Sequence, residues 1–378
     1  MPQTNILIVG GGAAGLTAAG ALKHVGLDSV ILDKTTRVGT TWATRYERLH
    51  LHTVRYFSGL AHYPIPREYG KYIAKNKFAE YLESYVNHFG LNWRGDSPVH
   101  KIRVESNGRE PKLIIDAEHE TWTSNVVIIA TGHFGVPVLP PFVGAGDYKG
   151  LLVHSTQYKT GRDFTDKRVL VIGAGNSGAE IAVDLAEQGA EFVALAIRST
   201  PPIVPRDWLG VPAQVFGLVL TPLPPCLADR LAENIARVAF GDLSQYGLKK
   251  PDWLPFSAKR IPVIDVGLVK ELRAGRVVIR PNVGRFTTNG VVFNDGRTEE
   301  FDVVISATGF KTGLEELLDA PHVLNSLAEP KFPSGQPTSI PNLYFIGYVY
   351  SHRGHLLEAN EASRRVARVI QNNLFPSL

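Results

Sequence analysis

Apolar runs that stop at glycines and give way to helix-period segments recur along this chain. Ile6-Leu7-Ile8-Val9 breaks into Gly10-Gly11-Gly12-Ala13-Ala14-Gly15, and small and apolar residues continue from Leu16 to Leu22. A short continuous apolar run predicts a strand buried on both faces, and the segment behind it predicts a crossover helix. Ser29-Val30-Ile31-Leu32 predicts the second strand and ends at Asp33. Phe78, Tyr81, Leu82, Tyr85, Val86 and Phe89 recur at helical spacing, so Lys77 to Phe89 is predicted to be an amphipathic helix with that stripe in the core. Val99 to Val104 and Lys112 to Ile115 read as short strands of a small sheet. Val126-Val127-Ile128-Ile129 is a further buried strand that ends in Ala130-Thr131-Gly132, and a glycine- and proline-rich connection runs on to Gly150.

The opening pattern then repeats. Arg168-Val169-Leu170-Val171-Ile172 leads into Gly173-Ala174-Gly175-Asn176-Ser177-Gly178, a helix is predicted through Ile181 to Glu187, and Phe192 to Ile197 is the next strand. Pro201 to Pro225 reads as irregular, Leu227 to Phe240 as helix and Pro251 to Pro262 as loop. Val277 to Arg280, Val291 to Phe293 and Phe301 to Ser306 read as strands, the last ending in a second Ala-Thr-Gly turn at Ala307-Thr308-Gly309. Leu343 to Ile346 is a buried strand stopping at Gly347, and a C-terminal helix begins near Gly354 or His355.

Each glycine of the opening motif has its own physical task. Gly10 permits the tight turn, Gly12 lets a pyrophosphate approach the backbone, and Gly15 lets helix and strand pack closely. The helix N-terminus then offers free N–H groups and the positive end of its dipole. Asp33 stands where an acid would bind a ribose hydroxyl. Two such units in one chain imply two dinucleotide-binding domains. In the second unit Ala196 or Ile197 occupies the place of the acid, and Arg198-Ser199-Thr200 follow at once. Loss of the acid and gain of Arg and Ser suits a ribose 2′-phosphate, so the second site is expected to take NADPH rather than NADH.

Composition narrows the class. With 378 residues, 44% apolar and 20% charged, the chain has the balance of a soluble globular protein with two domains or one large one. A net charge of +4 favours anionic small molecules without indicating a nucleic-acid binder. Cys226 is the only cysteine, which excludes an intramolecular disulfide and any dithiol redox pair. Val211 to Leu227 is interrupted by Pro222, Pro224 and Pro225, so no membrane span is expected. No basic-then-apolar leader precedes the first strand, and a cytoplasmic location is the expectation. His50 and His52 lie on one face of an extended segment with no Asp, Glu or Cys completing a ligand set, so no metal is expected. No catalytic triad is visible.

The two dinucleotide units, the two Ala-Thr-Gly turns and the strand–Gly–helix ending resemble the flavoproteins with two dinucleotide-binding domains. Tyr148-Lys149-Gly150-Leu151-Leu152-Val153-His154-Ser155-Thr156-Gln157-Tyr158 is similar to the flavin-containing monooxygenase fingerprint F-x-G-x-x-x-H-x-x-x-[YFW], with Tyr148 replacing the leading Phe. Arg48-Leu49-His50-Leu51-His52, Pro205-Arg206, Tyr246 to Pro251 and Ile261 to Gly267 look most like the YUCCA-type branch, known for converting indole-3-pyruvate to indole-3-acetate.

The resemblance implies an α/β fold of the glutathione-reductase type, with two Rossmann-like domains. Residues 1–160 and 290–378 would form a discontinuous FAD-binding domain. Residues 161–289 would form an NADPH-binding domain carrying an inserted helical and loop segment, 201–262. FAD would be held by Gly10, Gly12, Ala14, Gly15, Asp33, Lys34, Thr41, Trp42, Arg45, His52, Val99, Thr131, Gly132 and Gly347. NADPH would be held by Gly173, Gly175, Asn176, Ser177, Gly178, Arg198 and Ser199. His154 would shape the interdomain linker. His52 falls where related monooxygenases carry an Asn near the flavin, so His52 is a candidate catalytic residue. Arg353, with His352 and His355, is a candidate for meeting an anionic substrate at the start of the last helix, and Tyr46, Tyr56 and Phe57 are candidates to flank its ring. The implied reaction uses NADPH and O2 through a C4a-(hydro)peroxyflavin on an aromatic 2-oxo acid. Oxygenation of sulfides or amines, Baeyer–Villiger oxidation of ketones, and an NADPH oxidase or reductase are the alternatives. The partners are then a small-molecule substrate and O2, with no nucleic acid and no membrane, in a monomer or homodimer.

Overall fold

The computed structural model describes residues 1–106 and 111–374. In chain order the elements that position the sites are β1 (Gln3–Val9), α1 (Ala13–His24), β2 (Val30–Leu32), α2 (Lys75–Phe89), β3 (Asn92–Arg94), β4 (Val99–Ser106), β5 (Pro111–Ala117) and β6 (Thr121–Ile129). There follow β7 (Leu151–His154), β8 (Arg168–Ile172), α3 (Asn176–Glu187), β9 (Phe192–Ile197), α4 (Ala213–Leu220), α5 (Pro225–Phe240), β10 (Val277–Pro281), β11 (Val303–Ser306), β12 (Leu343–Phe345) and α6 (His355–Leu374). The fold is α/β and forms two compact units. One comprises Met1–Thr44, Thr53–Val136 and Phe310–Leu378, and the other Arg45–His52 and Pro137–Gly309.

The first unit is built on a seven-stranded sheet of order β3-β2-β1-β6-β5-β4, with β12 on the carboxyl half of β6. β1 is parallel to both β2 and β6, pairing Leu7 with Val30 and Val127. Ile6, Leu7, Ile8 and Val9 are all buried, as a strand covered on both faces requires. β4 and β5 are not a separate small sheet, as the sequence suggested. They continue the main sheet as antiparallel edge strands through pairing of β5 with the amino half of β6. Their short, partly polar runs hide that connection, because pairing partners lie outside any local window.

On one side of this sheet α1 packs against α6 and α2. α1 is rich in alanine and glycine, and the absence of a side chain at Gly20 leaves room for the Tyr85 hydroxyl, which a Cβ would approach to 1.9 Å. The α2 stripe is core: Phe78, Tyr81, Leu82 and Tyr85 are buried, whereas Val86 and Phe89 are only partly so. Buried phenols need partners, and Tyr85 donates to the Ala61 carbonyl while Tyr81 accepts from the Leu60 N–H.

The second unit holds a five-stranded parallel sheet of order β7-β11-β8-β9-β10. β8 is central, and Val169, Leu170, Val171 and Ile172 are buried between β11 and β9. The segment read as irregular from Pro201 to Pro225 contains a helix, α4. Ala213 to Leu220 is almost wholly apolar, so it shows no polar face to signal a helical period; Pro212, in extended conformation, is its N-cap. Asp229 of α5 is buried and accepts from the backbone N–H groups of Phe256 and Ser257, which ties a short helix, Pro255–Ala258, to α5.

Candidate functional site

The two glycine motifs repeat the same geometry. Gly10 and Gly173 have φ of +101° and +106°, the region that favours glycine. Each turns a strand into a helix while facing the next Ala-Thr-Gly turn, Gly10 against Ala130 and Gly173 against Ala307. Gly12 and Gly175 are different: a Cβ added there would meet nothing within 4 Å. They are open backbone at the first turns of α1 and α3, the place where N–H groups lack helical partners. A cradle that a side chain would fill, aimed by a dipole, fits a pyrophosphate at each motif.

Around the first motif, Asp33 accepts from the Gly11 N–H and from both the backbone N–H and the hydroxyl of Thr35. A carboxylate has about four acceptor sites, so three internal bonds orient it and leave it able to take a ribose hydroxyl. Trp93 of β3, not singled out by the sequence, stands beside it. A Cβ on Gly11 would clash with its Nε1, and that buried N–H has no hydrogen-bond partner among the described residues. An unsatisfied buried donor next to an oriented carboxylate fits the nucleoside end of a dinucleotide. The following segment is fixed by N–H bonds from Asp96 to Thr35 and from Ser97 to Asp33, which carries the chain to Val99 at the start of β4.

Other FAD candidates gather at the carboxyl ends of β6 and β12. The Thr131 and Tyr348 hydroxyls are 2.5 Å apart, and a Cβ on Gly347 would lie 2.7 Å from that of Ala14. Gly132 also faces open space. Lys34 and Thr41 are exposed, and Trp42 packs edge-on against Phe78 at 4.8 Å. Arg45 belongs with His52 to the second unit, where burial lowers its guanidinium from its ordinary value.

In the second unit Asn176 does something the sequence did not reveal. Its side chain accepts from the Ile264 N–H at 2.7 Å and donates to the Pro262 carbonyl at 3.1 Å. It clamps the 262–264 loop, and its offer to a dinucleotide is the backbone N–H at the start of α3. Arg198, just past β9, is exposed and has no carboxylate partner among the described residues, and Ser199 is half-buried. Asp252 lies close by, but its carboxylate is held by the Thr200 N–H at 2.8 Å.

α3 also carries two buried carboxylates. Glu180 accepts from the Tyr46 hydroxyl at 2.8 Å and lies 3.4 Å from His52 Nε2. Burial, then the Glu180 charge, pushes the Tyr46 phenol well above its ordinary value, so it stays a donor. Asp184 accepts from Tyr158 and from the Gly161 N–H. Tyr46 is therefore core, not a free aromatic for a substrate ring, and Tyr56 is largely exposed beneath Arg55. His50 donates through Nδ1 to the Arg48 carbonyl.

The fingerprint residues have structural explanations. His154 accepts at Nδ1 from the Thr156 N–H and donates from Nε2 to the Gly309 carbonyl, both at 3.2 Å, which ties β7 to the second Ala-Thr-Gly turn. Burial lowers its pKa, consistent with a neutral ring of fixed tautomer. The Tyr148 hydroxyl, extra relative to Phe, donates to the Phe301 carbonyl at 2.8 Å. At the C-terminal helix Arg353 is engaged by Glu358 and Glu361, and those carboxylates hold its guanidinium above its ordinary value. No helix among the described residues is long and apolar enough to cross a membrane.

The flavin-binding monooxygenase-like family model matches residues 3–376. The chain is 33% identical over 390 residues to a probable indole-3-pyruvate monooxygenase, YUCCA10, of Arabidopsis thaliana, covering 98% of this chain and 100% of that one. It is 35% identical over 327 residues to the indole-3-pyruvate monooxygenase YUCCA6 of the same plant, covering 83% and 78%. Among solved structures, a flavin-containing monooxygenase from Stenotrophomonas maltophilia superposes with a TM-score of 0.75 at 24% identity, covering 99% of this chain and 100% of that one. An oxidized steroid monooxygenase bound to NADP superposes at 0.77 with 18% identity, covering 98% and 86%.

Proposed function

The chain belongs to the flavin-binding monooxygenase-like family, and on that premise we propose that it converts an aromatic 2-oxo acid, such as indole-3-pyruvate, to the corresponding acetate. It is a flavin-dependent monooxygenase. The single observation that carries the substrate is the 33% identity, end to end, with a relative named for indole-3-pyruvate. In the balanced reaction NADPH, a proton and O2 are consumed with the 2-oxo acid. One oxygen atom enters the new carboxylate and the other leaves as water, while the bond between the keto carbon and the carboxyl group breaks to release CO2.

Bound FAD supplies the electron transfer and the oxygen chemistry. The chain's residues supply binding and orientation. Gly10, Gly12 and Gly15 open α1 to the FAD pyrophosphate, and Asp33 with Trp93 receives its ribose. Thr131, Gly132 and Gly347 meet it from the strand ends. Gly173, Gly175, Ser177 and Gly178, with the Asn176 backbone, do the same for NADPH, and Arg198 and Ser199 bind its 2′-phosphate. Glu180 fixes His52, which keeps the oxygen reaction coupled to substrate.

The test is substrate-dependent NADPH oxidation with 2-oxo acids beside thioethers, tertiary amines and ketones, with product mass spectrometry. Coupled formation of indole-3-acetate and CO2 is expected. Coupled turnover of a thioether, amine or ketone, with none for any 2-oxo acid, overturns the substrate.

A further inference from the structure

Two imidazoles of the first unit lie outside the nucleotide-binding features: His133, which no sequence signal marked, and His355, which the sequence offered beside Arg353 for an anionic substrate. His133 directly follows Gly132 at the carboxyl end of β6 and is only 6% exposed. Both of its ring nitrogens are buried, and neither has a hydrogen-bond partner among the described residues. Its ring lies 4.4 Å from that of Tyr350 and 5.9 Å from that of His355, the first residue of α6. Phe134, largely exposed, borders His133 and stacks edge-on with Phe310 at 5.5 Å.

Buried polar groups are normally satisfied, and one whose donor and acceptor are both orphaned calls for an explanation. A neutral imidazole offers one N–H and one lone pair. Here that pair of groups lies among aromatic rings at the carboxyl edge of a mainly parallel sheet, where ligands of α/β folds bind. The charged groups facing the two histidines are acidic or already neutralised. Glu329 lies 3.8 Å from His133 Nδ1 and accepts from the Tyr350 hydroxyl. Glu358, in the first turn of α6, is held by Arg353 and Ser351. The remaining titratable neighbours, Tyr348 and Tyr350, are phenols whose pKa burial raises. Burial lowers both histidines to about 4, so both are neutral at pH 7.

We propose that His133 and His355 form the subsite for the carboxylate of the aromatic acid, and that one imidazole takes up a proton as that carboxylate binds. This rests on the 2-oxo acid reading given above. An opposite charge brought within hydrogen-bond distance in a dry site favours the protonated ring, and the resulting charge-assisted bond is stronger than a neutral one. The proton is required because Glu329 would otherwise repel a second anion. An uncharged ligand of the same shape brings no such driving force.

The experiment is calorimetric titration of the FAD-loaded protein at pH 7.5 with indole-3-acetate, in two buffers that differ in ionisation enthalpy. Uptake of about one proton per indole-3-acetate is expected, and none with indole-3-acetamide. His133→Gln and His355→Gln should each abolish the uptake and weaken the acid roughly tenfold or more, with the amide changed less than about twofold. Binding of the acid without proton uptake, no binding of the acid, or equal losses for acid and amide in the variants overturns the subsite. The wild-type comparison decides even where a variant fails to retain flavin. Turnover of indole-3-pyruvate without proton-coupled binding overturns only the subsite. Proton-coupled binding of indole-3-acetate by a protein that oxidises no 2-oxo acid overturns only the substrate.

Discussion

A Cβ placed on Gly15 would lie 1.8 Å from the carbonyl oxygen of Gly10, and one on Gly178 would lie 1.8 Å from that of Gly173. The backbone of each glycine turn is thus in contact with the helix it launches, and no methyl group fits between them. Gly15→Ala must push α1 from β1, at a cost of about 1–3 kcal/mol of the kind seen for overpacked sites. Gly15→Ala is expected to purify with less than stoichiometric flavin, read from its visible spectrum. Gly178→Ala should stay yellow and lose NADPH binding; equal flavin loss in both variants would contradict separate sites.

Arg198 is proposed to decide between the two pyridine nucleotides. A hydrogen bond to a charged group contributes about 1.5–3 kcal/mol, which corresponds to roughly a ten- to hundredfold change in affinity. Arg198→Ala should lose that factor for NADPH and leave NADH nearly unchanged, measured by titration of each nucleotide. Parallel losses would make Arg198 a structural residue.

The His52–Glu180 contact predicts a coupling phenotype. His52→Ala and Glu180→Gln should leave the rate of flavin reduction by NADPH within about twofold of wild type, yet raise the hydrogen peroxide released per NADPH consumed with substrate present. The two variants should resemble each other, because Glu180 acts by orienting His52. A slowed reduction step in stopped-flow traces, with coupling intact, would tie both residues to nucleotide binding instead.

Acid stability follows from His133 and His355. Each has a folded pKa of about 4, below the ordinary 6.5, because burial disfavours the charged ring. The unfolded chain therefore binds more protons between those values. The stability contributed by these two rings is complete above pH 6.5, falls by about 1.4 kcal/mol per pH unit per histidine on the way down, and levels off near pH 4. Melting temperatures of the FAD-loaded protein across that window should show the fall, and His133→Gln should flatten part of it. An unchanged slope in His133→Gln and His355→Gln would place the acid-sensitive groups elsewhere.

Much of this protein was legible in the chain because its governing physics is local. A run such as Ile6 to Val9, short and closed by glycine, reads as a strand covered on both faces, and glycines at Gly10 and Gly15 are dictated by one backbone angle and one close approach within six residues. The same reasoning carried the second unit from Arg168 to Gly178. Tertiary structure alone decided which polar groups meet. Glu180 stands 134 residues from Tyr46 and 128 from His52, and no spacing rule links them. Asn176 sits inside a nucleotide motif, yet its amide clamps a loop that sequence places far away. Trp93 and His133 carried no local signal, since what marks them is a buried ring nitrogen without a hydrogen-bond partner among the described residues. The same holds for β4 and β5, whose place in the main sheet is set by pairing with β6. Local periodicity marks elements such as β1 and α2; only packing determines whose donors and acceptors are left for a ligand.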